Sequence, residues 1–277
     1  MAVTSGRASR LRDLSLFSAP GGLTFAKHVR LHAEEKLRYF EEVASLPEDL
    51  REMRIDPRYI DAMRRRWVTL YFGEIASAQY MGTAARSVPL EMHEFITACV
   101  CQQIDELHHS EMDRDILVKI GLGPAEWTAI YEDSASKKVF DHLLAIEDPF
   151  EIAVKGGLFL ESASAVVAFP ALIRIAEAHG DHLTAANHRT RLTDEPRHMA
   201  LGVAMLRALV ADDPANIAVV QRWQDEFTPL LRGMLDASRE MTDLPNGGFS
   251  ADGMWRAMVE HHTKNALKYG LRPTLQA

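Results

Sequence analysis

Cysteine is nearly missing from this chain: Cys99 and Cys101 are the only two among 277 residues. Two positions apart on a helix they point away from each other, so a disulfide between them is not expected. Such sparing use fits a reducing, cytoplasmic setting. It also leaves no cysteine set for a structural zinc site. Alternating β-branched runs between turns, the signature of strands, are nearly absent. No uninterrupted apolar stretch of 18 residues stands out, and Met1 to Leu16 carries arginines without the apolar core of an export signal; neither a membrane partner nor a leader is expected. Clustered positive charge is scarce. The net charge is −8, and the one basic run, Arg64-Arg65-Arg66, is short. No nucleic-acid partner is expected, and the run reads as a solvated helix face or partner contact. No Ser/Gly/Pro-rich linker divides the chain. Residues 1–23 read as an irregular segment ending in Pro20-Gly21-Gly22, and 24–277 as a single domain.

What the chain has in abundance is helical spacing. A first helix is expected from Thr24 to about Ser45. Asp56-Pro57 then opens a long helix reaching past Tyr80. Pro89 precedes another, which stops at Gly121-Leu122-Gly123-Pro124. Shorter helices fit 124–132 and 135–146. Pro149 opens a long helix that Gly180-Asp181 ends, and residues 182–211 form the next. A helix after Pro214 runs to about Met241, Leu244-Pro245-Asn246-Gly247-Gly248 makes a turn, and a last helix covers Ser250 to Tyr269. The long helices number about 25–35 residues, or roughly 35–50 Å at 1.5 Å per residue, which suits a bundle.

On those four helices lie six residues that read as one metal site. Glu106 with His109, and Glu195 with His198, are two Glu-x-x-His pairs, each preceded by an aspartate, Asp105 and Asp194. Residues i and i+3 share a helix face, so each pair aims a carboxylate and an imidazole at one spot. His108, two residues from Glu106, points away. The pair alone is a weak signal; its repetition after 89 positions is a strong one. Glu74 lies in the apolar run from Trp67 to Ala76, and Glu161 in the drier run from Gly157 to Ala163. An unpaired carboxylate is expensive to bury in such surroundings. The spacing from Glu74 to Glu106 is 32 positions and from Glu161 to Glu195 is 34, each the length of one helix up and another down. The gap of 55 between Glu106 and Glu161 calls for a crossover, which the short helices supply. Four carboxylates and two imidazoles can neutralise two divalent cations. Mixed oxygen and nitrogen ligation suits iron, or manganese, better than soft metals. Metal-bound histidine commonly gives its other N–H to a carboxylate, so Asp105 is expected to support His198, and Asp194 to support His109. Tyr71 joins them as a further supporting candidate. Pro196 inside the second pair predicts a bend. Gly156-Gly157 predicts a close helix crossing, with a π-bulge or room for substrate as alternatives.

At these motifs the chain resembles the ferritin-like di-iron carboxylate superfamily, most nearly the hydroxylase α-subunits of bacterial multicomponent monooxygenases. The matching segments are Gly73-Glu74-Ile75-Ala76, Gln103-Ile104-Asp105-Glu106-Leu107-His108-His109, Leu158-Phe159-Leu160-Glu161 and Thr193-Asp194-Glu195-Pro196-Arg197-His198, within roughly residues 60–210. The resemblance implies an all-α, ferritin-like four-helix bundle: two long antiparallel helix pairs, a crossover, and flanking helices. It implies two iron ions, or manganese or a mixed pair, with O2 as co-substrate, inserting oxygen into a small organic molecule. Where those family members carry a threonine four residues after the third glutamate, this chain has Ala165. Asp113 occupies the place of the radical tyrosine of ribonucleotide reductase small subunits. Arg191 stands where arylamine N-oxygenases add a third histidine. Amine N-oxygenation and ferroxidase or iron-storage chemistry are the alternatives; storage chains are generally far shorter. Phe72, Phe159, Ala165 and Phe169, with the helix face around Cys99, are candidates for the substrate pocket. No flavin, nicotinamide or iron–sulfur motif is visible, so a separate electron donor is implied. Amphipathic faces on the last two helices make a homodimer plausible.

Overall fold

The computed structural model describes residues 38–52, 55–236, 244 and 251–275. The expected irregular segment 1–23, the start of the first helix and most of the turn at 244–248 lie outside the described residues. Nine helices can be followed among them: α1 Arg38–Ser45, α2 Pro57–Arg86, α3 His93–Lys119, α4 Pro124–Glu132, α5 Ala135–Leu144, α6 Pro149–Ala178, α7 His182–Asp212, α8 Asn216–Asp236 and α9 Ala251–Lys268. A single turn at Glu48–Arg51 and a 3-10 turn at Leu90–Met92 complete the order. No strand occurs among the described residues.

Helix ends fall where local chemistry puts them. The Asp56 carboxylate accepts from the Arg58 N–H at 2.9 Å, with Pro57 in the first turn of α2. Asp148 does the same for Phe150 at 2.9 Å ahead of α6, again with proline in the first turn. Asp181 accepts from Thr184 at 2.9 Å to start α7. Each aspartate satisfies an amide that the helix cannot pair, which stabilises the start by about 1 kcal/mol. Gly180, just past α6, has φ 73°, a conformation that glycine enters without penalty.

α2 packs most extensively on α3, and α6 on α7, so the bundle consists of two helix pairs linked through α4 and α5. One core cluster centres on Tyr80, Phe95, Leu143, Ile152, Met205 and Phe227, joining α2, α3, α5, α6, α7 and α8. A second gathers Tyr59, Trp67, Met112, Trp127, Leu172 and Leu183 at the other end of the bundle. Proline leaves α7 unbroken at Pro196. The irregularity lies in α6, whose turns widen to π-helix over Val154–Glu161 and again over Ser164–Ala168. α6 is apolar and long enough in composition to cross a membrane, but two thirds of its most apolar window is buried in the bundle (67%) and it carries Glu161.

Gly157 and Gly202 explain how tightly α6 and α7 cross. A Cβ on Gly157 would stand 2.6 Å from the carbonyl oxygen of His198, and one on Gly202 would stand 2.6 Å from the Leu158 nitrogen. Only hydrogen fits at either position. The expected close crossing and the π-turn alternative are therefore both present at the same place.

Candidate metal centre

The four long helices bring all six candidate ligands to one place in the interior, none more than 8% exposed. Glu74 comes from α2, Glu106 and His109 from α3, Glu161 from the π-turn of α6, and Glu195 and His198 from α7. Two groups of donor atoms stand close enough to hold an ion each: Glu74, Glu106 and His109, and Glu106, Glu161 and His198, with the atoms of each group within 4.8 Å of one another. Glu106 belongs to both. The Nδ1 of His109 lies 3.2 Å from Glu106 Oε2 and 3.4 Å from Glu74 Oε2. The Nδ1 of His198 lies 3.3 Å from Glu161 Oε2, 3.4 Å from Glu106 Oε1 and 3.7 Å from Glu195 Oε2. The two imidazole centroids are 6.2 Å apart.

Behind each imidazole stands an aspartate. His109 Nε2 is 3.1 Å from Asp194 Oδ2, and His198 Nε2 is 3.3 Å from Asp105 Oδ2. Each aspartate thus reaches the histidine of the other pair, leaving Nδ1 turned inward. The Arg197 guanidinium ties the two together, donating to Asp105 at 2.8 Å and Asp194 at 2.5 Å. The amide of Gln102 donates to Glu161 at 2.6 Å and to Glu106 at 3.1 Å. Glu74 is paired with the fully buried Arg191, which also donates to Asp113 at 2.6 Å and to Asn187 at 2.7 Å.

The donor set fits a pair of metal ions. Glu161 Oε2, Glu195 Oε2 and His198 Nδ1 are buried without a hydrogen-bond partner, although they face one another. Buried polar atoms are rarely left this way unless something else occupies their lone pairs. Burial pushes the Glu106 carboxyl well above the usual range, against the pull of His198. Burial opposes charge on His109 and His198 too. The bond to Asp194 and the neighbouring glutamates outweigh it for His109, and Glu106, Glu161 and Asp105 do so for His198, so both rise well above an ordinary imidazole. Burial also acts on Glu74, but Arg191 outweighs it and holds that carboxyl far below the ordinary range. Acids crowded this closely need positive charge among them; protons supply it when cations do not.

A cavity opens beside the acids, with Glu74, Glu106, Glu161 and Glu195 on its wall beside Leu70, Phe140, Leu160 and Phe169. A second lies between α6, α8 and α9; it is lined by Leu158, Phe159, Leu172, Leu231 and Met258 among others. Arg66, Ser164 and Met234 line both. Of the expected pocket residues, Phe169 therefore faces the cavity at the acids and Phe159 the second one. Phe72 does neither: it stacks on Tyr131, with centroids 4.6 Å apart, against the crossover helices. Tyr71 meets Phe72 and Trp127 edge-on instead of supporting a ligand, because α4 covers that side of α2 with aromatic rings. Ala165 is buried outside both cavities, and Ser164 takes the lining position; the wide turns of α6 alter the phase that regular α-helical spacing assumes. Cys99 is buried in the core, free of any disulfide, and lines neither cavity.

The basic run divides. Arg64 and Arg65 are surface residues paired with Asp61 and Asp133, whereas Arg66, about 100° further round the helix, turns inward. Arg66, Gln102, Arg191 and Arg197 are the polar neighbours that sequence reading did not assign. The one signal available was their place near the ligands in helical steps: Gln102 is four residues before Glu106, and Arg191 four before Glu195.

The arrangement is a helical bundle with a carboxylate–histidine centre, and comparison with known proteins gives its family. Residues 4–213 match the family model described as methane/phenol/alkene hydroxylase, and the chain belongs to that family. It is 22% identical to the oxygenase component DmpN of phenol 2-monooxygenase from Pseudomonas sp. (strain CF600), over 95% of this chain and 53% of that one. Phenol hydroxylase from Pseudomonas sp. OX1 superposes with a TM-score of 0.82 at 23% identity, covering 96% of this chain and 56% of that one. Toluene 4-monooxygenase gives 0.70 at 17% identity, covering 84% and 81%. An R2-like ligand-binding oxidase, described with a Mn/Fe cofactor, gives 0.67 at 17% identity, covering 90% and 92%. The chain spans about half the length of the curated relative it matches. The fold is the ferritin-like four-helix bundle that these structures share.

Proposed function

We propose that this chain is the dimetal-bearing part of an O2-dependent monooxygenase acting on a small organic substrate. The observation that carries the reading is Glu106, one buried carboxylate shared by two separate donor triads. Glu74 and His109 would hold one ion, Glu161, Glu195 and His198 the other, with Glu106 between them. Iron at both positions is the proposed content; a manganese/iron pair is the alternative, since oxidases of the same fold are described with Mn/Fe and with Fe/Fe. Such a pair, when bound, supplies the means to activate O2 and transfer one of its atoms.

The protein's own groups do the rest. Asp105 and Asp194 hold each imidazole by its outer nitrogen, so that the inner one would be the nitrogen that gives up its proton to a metal ion. Arg197 locks both aspartates and so couples the two halves of the site. Gln102 fixes the orientation of Glu106 and Glu161. Leu70, Phe140, Leu160 and Phe169 line the adjoining space with apolar surface, which excludes water beside the reacting centre. Inserting one oxygen atom and reducing the other to water takes two electrons and two protons per turnover. A separate reductase or ferredoxin-like protein is the proposed source of the electrons, as the family's multicomponent character suggests.

The test uses the whole chain freed of metal. Ferrous iron is added anaerobically, the endpoint is read by metal analysis, and O2 is then admitted with a chemical reductant and a probe such as phenol. Saturation at two irons per chain with a hydroxylated product supports the reading. Saturation with iron well beyond two per chain, or two irons with no oxygenated product from any of a panel of small aromatics, alkenes and alkanes, would overturn it.

A further inference from the structure

Arg66 is the residue that the function above leaves unused. It lines both the cavity at the acids and the apolar cavity between α6, α8 and α9, so it stands where the two meet. Its Nε is buried without a hydrogen-bond partner, and its guanidinium forms no hydrogen bond or ion pair among the described residues. The other two arginines near the centre are ion-paired: Arg191 with Glu74 and Asp113, and Arg197 with Asp105 and Asp194. Burial lowers Arg66 to about 10 and the like charge of Arg191 adds to this, while the charges of Asp113 and Glu74 oppose it, so it stays a cation at neutral pH. Arg66 is half-buried between the acid-lined cavity and the apolar one, and a guanidinium withdrawn from water is stabilised when an anion meets it directly. Its planar fork suits a carboxylate, which can accept two of its N–H groups at once.

From this junction we propose that Arg66 is the anchor for an organic carboxylate, whose apolar body lies in the cavity between α6, α8 and α9. Leu158, Leu172, Ile175, Leu231 and Met258 give that cavity a flexible, apolar wall. The ligand class is an amphipathic monocarboxylate, whereas the phenol and toluene relatives are named for neutral aromatics. The proposal deepens the oxygenase reading by naming a substrate class and rests on it for the meaning of binding, but not for binding itself.

Octanoate and octan-1-ol serve as probes, matched in length and differing in charge. Their affinities are measured by calorimetry on the metal-loaded full chain and on Arg66→Gln and Arg66→Lys variants, with metal content determined in parallel. Octanoate should bind the wild type at least about tenfold more tightly than octanol, as a charge-assisted pair predicts. Arg66→Gln should erase that preference while the metal content is unchanged, and Arg66→Lys should keep part of it. Equal affinity for acid and alcohol on the wild-type chain would overturn the proposal, and that comparison needs no variant to fold. So would a carboxylate preference that survives Arg66→Gln, since the anchor would then lie elsewhere. A chain that binds octanoate through Arg66 but fails to take up two metal ions would refute the oxygenase reading and leave this one standing.

Discussion

Replacing Gly202 with alanine tests whether the crossing of α6 and α7 sets the geometry of the metal centre. The added Cβ would meet Leu158 N at 2.6 Å, Ala153 O at 2.8 Å and Gly157 C at 2.9 Å. All three are backbone atoms of the facing helix, so no side chain can swing aside. Ordinary contact begins near 3.4 Å, and relief from 2.6 Å demands that the helices part by about 0.8 Å. Overpacking of this kind costs about 1–3 kcal/mol, while alanine returns up to about 1 kcal/mol of helix propensity. The net loss is about 1–2 kcal/mol, a fall in Tm of roughly 2–8 °C for a chain of this size. The functional loss should be larger than the structural one. Gly157 touches the His198 carbonyl and lies four residues before Glu161, so the shift separates donors of one ion. Metal sites tolerate distance errors of only about 0.2 Å, and ferrous affinity should drop by tenfold or more. Chemical unfolding of the metal-free chain and equilibrium iron binding give the two numbers separately. Gly233→Ala on α8, where an added Cβ meets nothing within 4 Å, is the control and should be neutral or slightly stabilising. A Gly202→Ala protein with wild-type stability and iron affinity would refute the argument.

Glu106→Gln should leave no shared carboxylate, and iron binding measured by atomic emission should fall from two per chain to one or fewer; retention of two ions would remove Glu106 from its bridging place. Arg191→Leu strands Asp113, which is fully buried and would keep only Asn187 as a hydrogen-bond partner. Urea unfolding should show a loss of about 3–5 kcal/mol, only partly restored by adding Asp113→Asn because Glu74 still lacks the guanidinium it pairs with; a loss under about 1 kcal/mol would mean that the network is not what holds this end together. His188 is buried with both ring nitrogens unpartnered and stacks on Phe169 at 5.1 Å. Burial, helped by the charge of Arg191, holds its pKa well below 6.5, and His262 is likewise lowered to about 4 by burial. The unfolded chain therefore binds protons that the folded chain refuses, so the stability from these groups is complete above about pH 6.5 and declines as pH falls below it. His188→Phe should be at least as stable at pH 7.5 and lose less stability on going to pH 5 than the wild type; an unchanged acid slope would disprove the assignment.

Reading the sequence reached the helices and the six acids and imidazoles for one reason: both are written in short-range spacing. An i,i+3 pair declares its common face without knowledge of the rest of the fold, and Pro57, Pro149 and Gly180 mark ends through their own backbone limits. The intervals between Glu74, Glu106, Glu161 and Glu195 then state the antiparallel pairing, since one helix up and one down has a length. Even the exchange of aspartates between the histidines is accessible this way, because i−1 and i+3 on one helix must address different neighbours.

Charge inside the bundle is where that logic stops. Arg66 differs from Arg64 and Arg65 in nothing local; what separates it is the angle at which α2 meets the other helices, a property of the assembled fold. Arg191 likewise reads as a surface residue until Asp113 and Glu74 arrive from two other helices to neutralise it. The same holds for the pocket. Phe72 and Tyr71 have the apolar character of lining residues, yet α4 lies over them and makes them packing, while the wide turns of α6 put Ser164 where Ala165 was expected. A helix wheel assigns a residue to a face, but burial of a charge is decided by what covers that face. That is why a cation that pairs with no acid among the described residues, as at Arg66, carries information about a ligand that the same arginine in the sequence does not.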